Sequence, residues 1–275
     1  MKTSVNNLKV YLPTCNNYLF LVKPFTFLWN KFWQRQQKVV YLGYDRPDHS
    51  LPDNFDFVSV GPDDGFEHWA SDLIKFFNSI DDEYFIFTYD DGFLVDQTNF
   101  GVYDKLLKYL DNPKVGRICL TRDTTSRPHR LFDKSDGLTV IEANAESDYR
   151  ISFSPSIWRK EYFLKYLEKG MNHWEFESVG SERAKNDGYH ILGVKGDDGP
   201  PDNAVVFNTN AMWRVSRNSK KRFNFHNSNY SYVNGGQNYL DPLVVKEMYD
   251  KNIIDRDIES GWIYDSKWYS YKEVK

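Results

Sequence analysis

A short apolar run that ends in two adjacent aspartates is the feature that most constrains the fold. Residues 84–87, Tyr-Phe-Ile-Phe, have the length and composition of a buried strand, and Asp90, Asp91 and Gly92 follow just past its carboxyl end. In open α/β sheets, ligands bind in the crevice outside the carboxyl ends of the strands. The run therefore predicts an α/β fold with a binding site at this edge of the sheet.

The two aspartates allow two interpretations. Adjacent carboxylates repel each other and lose hydration when buried, so a cation that sits between them and a ligand would relieve both costs. Hard cations such as Mg²⁺ typically bind one or two carboxylates together with substrate phosphates. An Asp-Asp-Gly turn without any ligand explains the same residues, because Asp and Gly are common in turns.

Other apolar runs extend the pattern. We predict strands over residues 8–12, 39–42, 57–60, 84–87, 115–120, 138–141 and 149–153, and helices over 18–36, 69–80, 102–110 and 157–167. Strands and helices in this order predict a βαβ-type half-sheet at the start of the chain. If its strands are parallel, Thr14, Asn16 and Asp45 line a nucleotide-sized crevice at one edge. Taken singly, each is explained more simply as a cap or turn residue.

The segment Trp174-Glu175-Phe176-Glu177 is the second group with catalytic potential. An extended segment would place both glutamates on one side, whereas in a helix they diverge by roughly 200°. A carboxylate beside Trp can have a raised pKa and act as a general base near neutral pH. A helix N-terminus, where the dipole favours acidic residues, is the alternative explanation.

Two polar segments carry basic residues. Residues 121–136 contain Arg122, Arg127 and Arg130, which suit phosphate, and we expect either a mobile loop over a site or a solvated connection. Residues 217–232 interleave basic and aromatic residues. In a short run of an acidic protein, this favours a loop or a phosphate clamp over nucleic-acid binding.

Composition narrows the function classes. The 275 residues can bury a sizeable core, and a net charge of −4 argues against a broad nucleic-acid interface. Cys15 and Cys119 have no metal-binding spacing. Residues 1–7 lack the apolar core of a signal peptide, and no apolar run reaches the length of a transmembrane helix. We therefore expect a cytoplasmic enzyme with no transmembrane segment.

Taken together, these pieces resemble sugar-nucleotide glycosyltransferases of the GT-A fold, and more narrowly a bacterial and viral group of surface-glycan (lipopolysaccharide-type) transferases. The resemblance spans roughly residues 8–215. Three blocks carry it: residues 69–96 with the Asp90-Asp91 pair, Ser-Pro-Ser-Ile-Trp-Arg-Lys at 154–160, and Trp174 to Glu177 with Gly180-Ser181.

The resemblance implies one α/β domain, a GT-A (Rossmann-like) three-layer sandwich with a central mixed, mostly parallel sheet. Residues 1–120 would form the nucleotide-sugar-binding half, 121–215 the acceptor-binding half and 216–275 a C-terminal extension. The enzyme would transfer a sugar from a nucleotide diphosphate sugar to a glycan or lipid-linked glycan. A non-catalytic carbohydrate-binding module on the same fold is the alternative from another class. A metal-dependent phosphohydrolase would fit the aspartates but not the Trp174 block.

The resemblance also assigns roles to residues. Asp91 first, and Asp90 second, would hold Mn²⁺ or Mg²⁺ against the diphosphate, with His226 as a late third ligand. The usual motif is Asp-x-Asp, and this chain departs from it, with Thr88 or Tyr89 at the first position.

Inverting members use a carboxylate as base. Glu177 is the stronger candidate because it lies nearer the Gly180-Ser181 turn, and Glu175 could serve structure or acceptor binding instead. Retaining members lack such a base, and the sequence leaves both outcomes open.

Overall fold

The computed structural model describes residues 8–94, 96–121, 123–195 and 242–254, and the backbone of five short strands beyond residue 206. Two compact units interleave along the chain. The first takes residues 1–19, 35–89 and 99–205, and the second takes 20–34, 90–98 and 206–275.

The helices and strands are as follows in chain order: β1 (Val10–Pro13), α1 (Val22–Phe32), β2 (Val39–Gly43), β3 (Phe55–Ser59), α2 (Trp69–Asn78), β4 (Tyr84–Phe87), β5 (Phe93–Leu94), α3 (Phe100–Leu107), β6 (Val115–Cys119), β7 (His129–Ser135), β8 (Leu138–Ala143), β9 (Ser156–Arg159), α4 (Lys160–Tyr166), α5 (His173–Arg183), β10 (His190–Lys195), β11 (Phe207–Asn208), β12 (Met212–Arg214), β13 (Lys221–Phe223), α6 (Pro242–Asp250), β14 (Trp262–Asp265) and β15 (Ser270–Lys272). No helix in the described ranges is long and apolar enough to cross a membrane.

A nine-stranded sheet forms the first unit, in the order β3-β2-β1-β4-β9-β6-β10-β8-β7. β3, β2, β1 and β4 pair in parallel, as do β6 and β10. β9 runs antiparallel to β4 and β6, and β8 runs antiparallel to β10 and β7. Only β9 and β8 therefore oppose the common direction, which confirms the predicted central mixed, mostly parallel sheet.

Strands β1, β2 and β4 of this sheet are buried on both faces. Side chains alternate between faces along a strand, so Tyr11 points away from its neighbours Val10 and Leu12, and all three are buried. Tyr11 belongs to an aromatic core together with residues of α2, α4 and α5. Burial on both faces explains why these three strands are continuously apolar rather than alternating.

One glycine allows close packing between α4 and the sheet. A Cβ on Gly116 of β6 would lie 2.5 Å from Cγ of Tyr162 on α4. Any larger residue would therefore push α4 away from the strand.

Two predictions around residue 150 were wrong. The predicted strand 149–153 is irregular, and the predicted helix 157–167 begins instead as β9, with α4 starting at Lys160. β9 is a strand because it fills the gap between β4 and β6, and Ile157 pairs with Ile86 and Ile118. These long-range pairings override the helical spacing of its apolar residues.

The polar segment 121–136 is also more ordered than a loop. It contains a 3₁₀ turn over Thr124–Ser126 and then β7, the edge strand paired with β8. Its polar sequence suits a sheet edge, where charged side chains face water.

The second unit has its own core. Trp29 of α1 stacks on Phe25 and on Trp33, with ring centroids 5.7 Å and 4.6 Å apart. Lys31 of α1 pairs with Glu247 of α6 at 2.7 Å. The predicted helix over 18–36 is shorter than expected, because its start is a 3₁₀ turn over Asn16–Leu21.

Candidate functional site

Three polar residues predicted to bind the nucleotide lie at the carboxyl edge of β1 and β2, in the first unit. Asn16 Nδ2 donates to Asp45 Oδ2 at 2.8 Å, and the Asp45 amide donates to Asn16 Oδ1 at 3.0 Å. Thr14 is buried, and its amide donates to the carbonyl of Leu42 at 2.8 Å. The loops that follow β1 and β2 are thus joined at the strand ends, at the edge where the crevice is predicted. That these residues bind a nucleotide stays a prediction.

Sequence reasoning missed two residues at this edge. The hydroxyl of Tyr44 donates to Asp72 Oδ2 of α2 at 3.3 Å. Burial raises the pKa of both groups, and the charge of Asp72 raises that of Tyr44 further. Tyr44 directly precedes Asp45 in the sequence, and this proximity to a predicted site residue could have identified it as part of the same edge. The edge is acidic, so it suits the N–H and O–H donors of a base or a ribose.

Asp90 and Asp91 belong to the second unit and follow Phe87, the last residue of β4, by three and four positions. Both side chains are partly buried. Burial raises the pKa of Asp91 from its usual 3.8 to about 6, against a smaller opposing effect of its own backbone amide. A nearby cation would stabilise the ionised form of such a buried carboxylate, because it offsets the lost hydration.

A metal ion at these aspartates would need ligands from the substrate. Within the described residues, no three or more His, Cys, Asp or Glu side chains come together to hold an ion. His226 lies outside those residues, so its predicted role as a ligand stays a prediction. One or two carboxylates completed by diphosphate oxygens and water match the usual coordination of Mg²⁺. Asp91 and Asp90 therefore fit a divalent ion that binds together with a nucleotide.

The two candidate bases separate because their segment is helical. Glu175 forms a capping box at the start of α5: its amide donates to Asn172 Oδ1 at 3.0 Å, and its Oε2 accepts from the Asn172 amide at 2.9 Å. Both residues thereby satisfy helix N–H groups that have no partner within the helix. Glu175 is exposed and already has a structural task.

Glu177 is held differently. Its Oε1 accepts a 2.7 Å hydrogen bond from the amide of Phe153. Burial raises its pKa, and the charge of Asp123 adds to the rise, whereas the Phe153 amide, Arg117 and the Ser152 hydroxyl oppose it. A partly buried carboxylate with a raised pKa is what a general base near neutral pH requires.

Strand register places Glu177 at the same edge as Asn16 and Asp45. β9 is antiparallel, so its first residue, Ser156, pairs with Phe87 at the end of β4 and with Cys119 at the end of β6. Phe153 lies three residues before Ser156 and therefore beyond the carboxyl ends of the parallel strands. Its bond to Glu177 brings the carboxylate to the edge where α/β proteins bind ligands.

A buried ion-pair network lies behind Glu177, and sequence reasoning missed it. Arg117 Nη2 donates to Asp123 Oδ2 at 3.1 Å, and Arg127 Nη2 donates to Asp123 Oδ1 at 2.7 Å. Arg117 also donates to Ser156 Oγ at 2.9 Å, which ties the network to β9. An arginine within the apolar strand β6 was the signal in the sequence, since a charged residue is almost never fully buried unless it is paired.

An aromatic surface adjoins this carboxylate. The ring of Phe153 lies 5.3 Å from Trp69 and 6.4 Å from His173, measured between centroids. His173 in turn lies 3.9 Å from Trp174, whose side chain is 64 % exposed. These aromatic rings form a continuous row from Phe153, whose amide binds Glu177, to the solvent-exposed Trp174.

Comparisons with known proteins find likenesses only among solved structures. No family model and no curated protein matches the chain. Residues 1–349 of S. aureus TarS match at 13 % identity with a TM-score of 0.43, over 71 % of this chain and 59 % of that one. An active-site mutant of LgtC matches at 10 % identity with a TM-score of 0.41, over 67 % of this chain and 72 % of that one.

Apo UDP-glucose pyrophosphorylase matches at 8 % identity with a TM-score of 0.41, over 72 % of this chain and 91 % of that one. TarS has also been solved with UDP and with UDP-GlcNAc. The chain spans only part of several of the structures that it matches, 59 % of TarS 1–349 and 50 % of a bifunctional IspDF from Campylobacter jejuni.

Proposed function

We propose that this protein is a glycosyltransferase that moves a sugar from a nucleotide diphosphate sugar to a glycan or lipid-linked glycan. The observation that supports the proposal is the environment of Glu177, a partly buried carboxylate with a raised pKa that accepts a 2.7 Å hydrogen bond from the Phe153 amide, beyond the carboxyl ends of the parallel strands. Asn16, Asp45 and Asp72 at the same edge supply hydrogen-bond acceptors for the nucleoside.

The proposed reaction is a single displacement. Glu177 takes the proton of an acceptor hydroxyl as the oxygen attacks the anomeric carbon of the donor sugar. The new bond joins the acceptor oxygen to that carbon, and the bond from the carbon to the diphosphate oxygen breaks. Glu177 then returns its proton to solvent. This mechanism inverts the configuration at the anomeric carbon, because attack and departure occur on opposite faces.

Asp91 and Asp90 would hold Mn²⁺ or Mg²⁺ in this proposal. A bound divalent ion supplies charge that neutralises the departing diphosphate. The raised pKa of Asp91 supports this assignment, since a cation lowers the free-energy cost of ionising a buried carboxyl.

A carbohydrate-binding module without catalysis is the second candidate, and exposed Trp174 favours it. It would bind glycan but would use neither Glu177 as a base nor Asp91 as a ligand. A thermal-shift panel of nucleoside diphosphates with and without Mn²⁺ separates the two. A ligand that binds only the native state at a hundredfold its Kd adds about 2.7 kcal/mol of stability. If no diphosphate raises the melting temperature, the transferase proposal fails.

The products decide the class of reaction. Incubation with a panel of nucleotide diphosphate sugars should release the free nucleoside diphosphate, slowly by transfer to water and faster with an acceptor glycan. Release of a sugar 1-phosphate or of pyrophosphate would instead assign the enzyme to phosphate chemistry and would overturn the proposal.

A further inference from the structure

Trp174 is an exposed indole with no structural task in the described part of the chain. It is 64 % exposed, whereas Trp29, Trp33 and Trp158 are at most 2 % exposed. An exposed tryptophan adds little to folding because it buries little area, and its large apolar face is available for contact with a ligand.

The helix aligns Trp174 with Glu177. Residues three and four apart share a helix face, so Trp174, His173 and Glu177 project along the same side of α5. Phe176, two residues after Trp174, lies roughly 200° from it around the helix and is fully buried in the core. The Asn172–Glu175 capping box fixes the same turn. The indole and the carboxylate therefore lie one turn apart on an ordered part of the helix.

The ring of His173 packs against the indole of Trp174. Its ring is 3.9 Å from Trp174 and 6.3 Å from Trp69, between centroids. Burial lowers the pKa of His173, which favours the neutral ring. The platform that reaches from Trp174 towards Phe153 is thus aromatic and uncharged, with the carboxylate of Glu177 at its inner end.

We propose that Trp174 and His173 form the acceptor subsite of the transferase, in which an uncharged pyranose ring stacks on the indole with a hydroxyl directed to Glu177. This inference rests on the proposed function, since it takes Glu177 as the base.

A pyranose has an apolar C–H face and a rim of hydroxyls, which match an indole face and a carboxylate. The surroundings disfavour other occupants. Glu175 and Glu177 on the same turn repel anionic sugars and lipid phosphates. A lipid tail or protein partner needs a broad apolar patch, and the neighbours of Trp174 on this turn include exposed Glu175 and Ser178.

Saturation-transfer NMR on the full chain tests the subsite directly. The probes are lactose, maltose and N,N′-diacetylchitobiose, with glucuronic acid as the anionic comparison. The wild type should saturate the ring C–H protons of at least one neutral disaccharide and not those of glucuronic acid. Trp174→Ala should weaken that binding roughly threefold to tenfold, the scale of one aromatic contact, and Trp174→Phe should retain most of it.

Leu131→Ala is the matched control, because Leu131 of β7 is 61 % exposed and apolar. It should leave binding of the sugars unchanged. Equal sugar affinity for the wild type and Trp174→Ala overturns the subsite, as does the absence of binding by every neutral probe. Preference for glucuronic acid overturns the uncharged-sugar assignment.

A second measurement, of nucleoside diphosphate binding, distinguishes failure of this inference from failure of the proposed function. Nucleoside diphosphates with Mn²⁺ should raise the melting temperature of the wild type and of Trp174→Ala equally. If diphosphates bind and sugars do not, the subsite fails and the transferase proposal stands. If sugars bind through Trp174 and no diphosphate binds, the subsite survives as a glycan-binding site and the transferase proposal fails.

Discussion

Glu177 Oε1 accepts a hydrogen bond of 2.7 Å from the amide of Phe153, 24 positions earlier in the chain. The bond joins α5 to the segment that leads into β9, so the orientation of the carboxylate depends on the central sheet rather than on the helix alone. In the proposed role of base, a carboxylate fixed in this way would lose little conformational entropy when an acceptor binds.

Replacing Glu177 with Gln should lower transfer by roughly 10²–10⁴-fold, the usual contribution of a general base. Glutamine keeps an oxygen that can accept from the Phe153 amide but cannot take a proton, so the fold and nucleotide binding should remain near wild type. Steady-state transfer and a diphosphate thermal shift measure the two effects.

Glu182→Gln is the matched control, because Glu182 lies on the same helix, is exposed and pairs with Lys185 at 2.8 Å. It should leave transfer unchanged. Near-normal turnover of Glu177→Gln would move the role of base to Glu175. If Glu175→Gln were equally harmless, a retaining mechanism without such a base would replace the displacement proposed above.

Asp123→Asn should shift the pH profile and weaken the fold. The charge of Asp123 raises the pKa of Glu177, so its removal lowers that pKa. The base must be ionised, so activity falls as pH drops through the pKa of Glu177, and this acid limb should move to lower pH. Loss of one partner from a buried ion pair typically costs about 3–5 kcal/mol. Urea unfolding and the pH dependence of kcat/KM check both results, and an unmoved limb would contradict the coupling.

The local sequence pattern was sufficient to predict strand β4 and helix α2. The prediction over residues 84–87 matches β4 residue for residue, because an aromatic and β-branched run bounded by polar residues has few alternatives. The prediction over 69–80 likewise matches α2 apart from its last two residues. In both cases the spacing of apolar residues in the sequence matches the residues that the fold buries.

Long-range contacts decided the elements that sequence missed. Ile157 and Trp158 fit a helical spacing with α4, yet β9 is held by pairing on both of its edges, with β4 and β6. The segment before it is irregular because buried Arg150 bonds to five groups of other segments, including Asp187 Oδ1 at 3.2 Å and the carbonyl of Tyr189 at 2.7 Å. No local pattern records such partners.

The site shows the same division. Glu177 could be named from its Trp-Glu-Phe-Glu block, but its anchor at Phe153 and its neighbour Asp123 depend on how distant strands meet. The separate roles of Glu175 and Glu177 follow once the segment is known to be helical, a choice that the sequence left open.

Asn172→Ala should destabilise the protein by about 0.5–2 kcal/mol, the usual cost of losing an N-terminal helix cap. The side chain of Asn172 accepts from the Glu175 amide at 3.0 Å, and that N–H has no other partner within the helix. Urea denaturation measures the loss. Transfer by the folded fraction should change by much less than for Glu177→Gln, because the cap supports the helix and does not take part in the chemistry.

Asp91→Asn should make the protein more stable at pH 8 and less able to use a metal ion. Burial raises the pKa of Asp91 from 3.8 to about 6, so the folded state binds the proton more tightly than the unfolded state. Its contribution to the free energy of unfolding is therefore fully present below about pH 4 and is lost as pH rises through 6. Asparagine has no charge to desolvate, so in EDTA the variant should gain up to about 3 kcal/mol over the wild type at pH 8 and nothing near pH 4. With Mn²⁺ and a nucleoside diphosphate this advantage should shrink, because only the wild type retains both proposed carboxylate ligands, Asp90 and Asp91. Urea unfolding at both pH values, with and without Mn²⁺, checks the prediction, and a variant that is less stable than the wild type at pH 8 in EDTA would contradict it.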